Sequence, residues 1–184
     1  MSDLLDYCAT TAIWASGKCA EVRVGSHVTR YVRRGSGSPV IVLGANASGN
    51  ALWAPLVETL AARHRLVIPQ TPKAEQDVVA WLRSFIEGIG VSSVALVAGG
   101  KSSSPAFALA AADDFTVRKL VLVPGGESNA NGATSIDTTD ATTPSTLDPG
   151  RMLSVAPEWQ PGEAVERIER FISVDGHGGI DTAG

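Results

Sequence analysis

The chain has 184 residues, of which 44% are hydrophobic and 18% charged, with a net charge of -4. That length suits a single domain over residues 1–184 with a real core. The acidic balance argues against nucleic acid as a partner, because phosphate binding calls for clustered Lys and Arg. The dense basic group Arg30, Arg33 and Arg34 ends an expected strand and reads as a solvated edge. No apolar run approaches the length that spans a bilayer, so no membrane partner is expected. The first residues, with Asp3 and Asp6, lack the basic-then-apolar order of a secretory signal, and a cytoplasmic protein is the expectation. Cys8 and Cys19 make no CxxC motif and have no His or acidic cluster beside them. Neither a metal nor a cofactor is implied; a disulfide is possible in principle, but reduced thiols are the default for a cytosolic chain.

In chain order, "AEVRV" and "HVTRYVRR" flank Gly25-Ser26 and read as two strands joined by a tight turn. "PVIVLG" is a continuous apolar run that suits a strand covered on both faces. From Trp53 the apolar residues Trp53, Leu56, Val57, Leu60 and Ala61 fall on one helical face. "RLVIP" is the next strand. A second amphipathic helix carries Val78, Leu82, Phe85, Ile86 and Ile89 on one stripe, with Gly90 near its end. "SVALVAGG", a helix through "PAFALAAADD", and "RKLVLVPGG" complete a strand–helix–strand alternation. Purely apolar strands separated by helices imply crossovers and a parallel sheet.

From Glu127 the composition changes: "ESNANGATSIDTTDATTPSTLDPG" has almost no large apolar residues, so a mobile loop is expected over about 127–149. "RMLSVA" reads as a strand, and a helix with Val165, Ile168, Phe171 and Ile172 inward follows it. The glycine-rich tail 175–184 is expected to be disordered. There are no internal repeats.

Three blocks carry a family likeness: "GSGSPVIVLGANASGNALWAPLVETLAARHRLVIP", "SVALVAGGKSSSPAFALAAADDFTVRKLVLV" and "RMLSVAPEWQPGEAVERIERFI". From about Val22 to Val123 the chain resembles the α/β-hydrolase family, with apolar positions in register on both sides of each turn. The third block is similar to that family's last strand, histidine loop and final helix. The resemblance implies a three-layer domain with a mostly parallel sheet, here without a helical lid.

The catalytic residues depart from the pattern. In this family a Gly-x-Ser-x-Gly turn lifts a serine above the sheet. Counting forward from the strand, and back from Val117, puts Gly100 at the serine's position. Glycine accepts the positive φ of such a turn but supplies no nucleophile. Where the family has a histidine after its last strand, this chain reads Pro157-Glu158-Trp159. His27 and His64 flank early strands and His177 lies in the tail, so all three read as surface residues. The end of the third strand is Gly44-Ala45 where the family has His-Gly, and Asp148 is a poor candidate for the acid.

Other readings of the central turn are weaker. Ser102 fits a small-x-Ser-x-small pattern through Gly100 and Ser104, but only with an insertion, and no histidine is placed to activate it. Pro105 belongs in a helix's first turn, so Ser102 to Ser104 read more simply as the start of a helix, with a serine as cap. "GGKSSS" is not a phosphate loop, because the required first glycine falls on Ala95. Lys101 beside a helix amino end remains a candidate for holding an anion. "GANASG" lacks a dinucleotide motif's middle glycine, since Asn46 stands there. Trp53 and Trp81 lie on core stripes, whereas Trp159 is a candidate for the mouth of the cleft.

The expected function is binding without catalysis, of a small molecule or a protein partner, at the cleft above the carboxyl ends of the strands. The expected lining is Ala45, Asn46, Gly100, Lys101, Ser102, Glu158 and Trp159. One alternative is an active small hydrolase that uses Ser102, or a Lys101–Glu158 pair, on an ester or carbonyl compound. Another is a homodimer that covers apolar surface left by a missing lid.

Overall fold

The computed structural model describes residues 16–45, 52–72, 77–112, 116–123, 149–156 and 158–174. The expectations for Asn46, the polar segment up to residue 148, and the tail 175–184 fall outside the described residues.

A seven-stranded sheet forms the centre. β1 (Lys18–Val24) and β2 (His27–Arg34) make an antiparallel hairpin in which Val24 pairs with His27. Gly25, at the first position of the two-residue turn, has φ +59, a conformation that glycine adopts without steric cost. β3 (Ser38–Leu43), β4 (His64–Pro69), β5 (Val94–Gly99), β6 (Val117–Val123) and β7 (Met152–Ser154) run parallel to one another. β2 joins this set antiparallel to β4, with Tyr31 opposite Pro69. The spatial order is β1-β2-β4-β3-β5-β6-β7, so β3 and β5 hold the middle. All six residues of β5 are buried, which accounts for its unbroken apolar run.

Among the described residues, four helices cover the sheet. α1 (Trp53–Ala61) and α4 (Pro161–Ser173) pack on one face, where Leu56, Leu60 and Ile168 meet Val40, Val42 and Val97. α2 (Val78–Gly88) and α3 (Ser103–Ala112) pack on the other, where Phe85, Leu82 and Leu109 meet Ile41, Leu43 and Leu96. Alternate residues of each central strand therefore serve two separate cores. The result is the three-layer, mostly parallel arrangement that the sequence implied.

Local signals account for the helix limits. Asp77 caps α2, its carboxylate accepting from the backbone N–H of Val79 and Ala80 at 3.0 and 3.1 Å. Gly90 lies just beyond α2 with φ +71. Pro161 opens α4, where its missing N–H costs no helical bond. α3 starts at Ser103, and a 3₁₀ turn over Gly100–Ser102 leads into it.

β7 is shorter than expected from "RMLSVA". It keeps three residues, preceded by a 3₁₀ turn at Pro149–Arg151 in which Arg151 donates to the Val117 carbonyl. Cys19 is disulfide-bonded, which departs from the reduced thiols expected above. No helix among the described residues is long and apolar enough to cross a membrane.

Candidate functional site

The strands β3 and β5 end side by side, with Leu43 paired to Ala98. β5 remains extended through Gly99 (φ -130, ψ 154), and the chain then reverses at Gly100, whose φ is +57. This is the turn at which the family likeness expects a nucleophile.

Three glycines shape it, and their surroundings differ. Gly44 ends β3 at φ +77, and a Cβ there would collide with the Gly99 carbonyl oxygen. A Cβ on Gly99 would lie 2.5 Å from Cζ2 of Trp53, well inside contact distance. A Cβ on Gly100 meets no described atom within 4 Å. The neighbours of the turn are thus forced to be glycine by crowding. Gly100 has room for a side chain and is restricted only by its backbone angle.

The residues around the turn divide by exposure. Ala45 is half-buried beyond the end of β3, and Lys101 is exposed on the turn. Ser102 is buried, and its Oγ lies 3.4 Å from the Cβ position of Gly44. The Ser103 hydroxyl donates to the Ala98 carbonyl at 3.5 Å, a long bond at the outer limit. The structure therefore brings Gly44, Ala45, Gly100, Lys101 and Ser102 together at the carboxyl ends of β3 and β5. It directs the Ser102 hydroxyl back toward β3.

Glu158 and Trp159 follow β7, two strand positions from β5, or about 10 Å at the usual strand spacing. Glu158 is exposed and makes no ion pair with Lys101. Trp159 turns toward α4, where the guanidinium of Arg167 sits 4.3 Å from the ring centroid. With Leu153 and Phe171 it lines a groove of about 350 Å³ between β7 and α4. Sequence reasoning treated Trp159 in isolation and missed this grouping. The i, i+4 spacing of Arg167 and Phe171 on α4 was the only signal for it.

Neither described histidine reaches the turn. His27 starts β2, three strand positions from β5 or about 14 Å away, and its Nδ1 contacts the neighbouring Ser26 hydroxyl at 3.1 Å. His64 starts β4 at the amino end, opposite the turn. Six residues of strand place it roughly 17 Å from the carboxyl edge. It is buried and its Nε2 lies 3.3 Å from Ser173 Oγ, a hydroxyl that itself donates to Glu169 at 2.9 Å. That arrangement anchors the end of α4. A serine held by a carboxylate does not present its proton to the imidazole as a nucleophile would.

No family model matches the chain, and neither does any curated protein. Solved structures do match. A protein assigned as a lipase, from Acinetobacter baumannii, superposes with TM-score 0.54 at 18% identity, covering 70% of this chain and 48% of that one. A membrane phospholipase A superposes with TM-score 0.53 at 20% identity, over 68% of this chain and 46% of that one. A serine hydrolase involved in carbazole degradation gives 0.50 at 22%, over 62% and 50%. The chain thus spans about half the length of the structures it matches. At these identities the likeness concerns the fold. Together with the sheet order it shows the chain to be built on the α/β-hydrolase fold.

Proposed function

We propose that this α/β-hydrolase-fold protein binds a ligand at the turn between β5 and α3 and does not turn it over. The observation that carries this reading is Gly100 at φ +57, where the fold holds its reactive side chain and this chain holds none. Catalysis at that turn needs an attacking group and a base within about 3 Å of it. Gly100 lacks the first, and the described histidines lie too far away for the second.

Binding retains support. The exposed Lys101 stands on the turn beside the amino end of α3, where unpaired N–H groups and the helix dipole favour negative charge. The reading therefore favours a small molecule with an anionic group, held by Lys101 and bounded by Ala45. The alternative with Ser102 as nucleophile has less support, because that hydroxyl is buried against Gly44.

The test is hydrolysis of short p-nitrophenyl esters by the wild-type protein beside Ser102→Ala, followed by thermal-shift screening of small carboxylates and phosphates. The expected outcome is no turnover by either protein, and stabilisation by an anionic compound that Lys101→Ala removes. Turnover abolished by Ser102→Ala would overturn the proposal. So would a screen without any stabilising anion.

A further inference from the structure

A second surface, on the α4 face at the β7 edge, owes nothing to the turn at Gly100. Its floor is apolar: Leu153 from β7, the partly exposed rings of Trp159 and Phe171, and Val174, which is 57% exposed. Its rim is cationic. Lys119 from β6 places its ammonium 4.5 Å from the Phe171 centroid and donates to the Gly150 carbonyl at 2.9 Å. Arg167 stacks on Trp159, and the exposed Arg170 of α4 also lines the groove. No carboxylate is among the described residues that line the groove. Of the acids on α4, Glu163 pairs with Arg167 at 2.8 Å and Glu169 with Arg63 at 2.9 Å.

β7 closes the sheet at this side, and among the described residues no strand pairs with its outer edge. Such an edge offers backbone donors and acceptors to an incoming strand. We infer that this groove docks an extended, acidic segment of a partner protein, which adds as a strand beside β7 and seats its apolar side chains on Trp159 and Phe171. Charge complementarity selects this occupant. A chain of net charge -4 gathers Lys119, Arg167 and Arg170 around one apolar groove. A second copy docking here about a two-fold axis would set these cations against their own equivalents. Nucleic-acid bases would have to stack on rings that already carry a cation on one face.

The probe is a fluorescein-labelled peptide of about eight residues, the length of an ordinary strand, alternating valine and glutamate. A valine–lysine peptide of the same length is its control, and anisotropy is the readout. The valine–glutamate peptide is expected to bind about tenfold or more tightly than the control, and less tightly as salt rises. Arg170→Glu is expected to weaken it by about the same factor. Arg170 is exposed, so an unchanged circular dichroism melt keeps that variant interpretable. A version with alternate backbone nitrogens methylated, unable to complete the ladder, is expected not to bind.

Binding of neither peptide would overturn the proposal, as would equal binding of both or retention by the methylated peptide. Competition by a thymidine oligonucleotide at equal strength would reassign the groove to phosphate. A dimer seen by light scattering and lost in Arg170→Glu would reassign it to a second copy. Binding that appears only after removal of residues 175–184 would assign it to the chain's own tail. None of these readouts depends on ester hydrolysis or on Lys101, so this inference and the proposed function fail separately.

Discussion

The indole N–H of Trp81 donates to the hydroxyl of Thr29 at 3.0 Å, with both side chains buried. This bond ties α2 to the middle of β2, at the junction of the antiparallel hairpin with the rest of the sheet. Trp81 also stacks on Phe85, whose centroid is 5.5 Å away, so the indole serves packing and polarity together. Trp81→Phe removes the donor and leaves Thr29 with a buried, unpaired hydroxyl. The expected loss is about 1–3 kcal/mol for that group, beyond what the smaller ring costs. Adding Thr29→Val should recover part of it, because removing both partners leaves no orphan. A double-mutant cycle in urea measures the difference; additive losses would mean that the bond contributes nothing.

Gly100→Ser should yield a folded protein. The side chain enters space free of described atoms, and the cost is that of a positive φ, about 1–2 kcal/mol. Ester hydrolysis should stay at background, because neither described histidine reaches the new hydroxyl. Thermal melts and a p-nitrophenyl acetate assay check both parts.

Gly99→Ala should be harmful for a different reason. Its methyl would meet the Trp53 ring at 2.5 Å, and overpacking of this kind costs about 1–3 kcal/mol. Trp53→Phe made in the same chain should relieve the contact. The pair is therefore expected to lose less than the sum of the two single losses, as measured by denaturant midpoints.

Arg34 on β2 grips Glu58 on α1 through both terminal guanidinium nitrogens, at 2.5 and 2.7 Å. This hydrogen-bonded contact holds the Glu58 carboxyl below its ordinary range and raises Arg34. A carboxylate with a depressed folded-state pKa adds stability above its unfolded value and loses it as pH falls through the folded one. The melting temperature of the wild type should therefore fall more steeply than that of Glu58→Gln as pH drops below about 4.5. Glu58 is exposed and Arg34 partly so, so the difference should be small and should shrink in high salt. Parallel curves for the two proteins would show that the contact is not maintained in solution.

The legible parts of this molecule were those governed by local pattern. The unbroken apolar runs of "PVIVLG" and "SVALVAGG" marked central strands, because a strand covered on both faces has no polar side to show. The stripe through Leu82, Phe85 and Ile86 marked α2. Gly100 was found by counting from strands whose lengths leave little freedom. What escaped were relationships between distant segments. Asp77 was not recognised as a cap, and β7 kept only half of the run assigned to it. The groove joins Lys119, Leu153, Trp159 and Phe171, and nothing in the spacing of these residues predicts that α4 gathers them. Trp159 shows the limit most plainly. Its position after a strand suggested the mouth of a cleft, but a side chain's direction depends on the neighbour that covers it, here Arg167.

The three glycines at the turn also say what kind of change the scaffold can absorb. Gly44 and Gly99 are locked by the atoms around them, so the path of the backbone there is set by steric necessity. Gly100 is open, and only its own dihedral angle resists replacement. The turn therefore keeps an open position of defined shape at Gly100. A designer wishing to install a thiol or hydroxyl could begin from geometry already in place, with a base to be supplied as well, since neither described histidine reaches the turn.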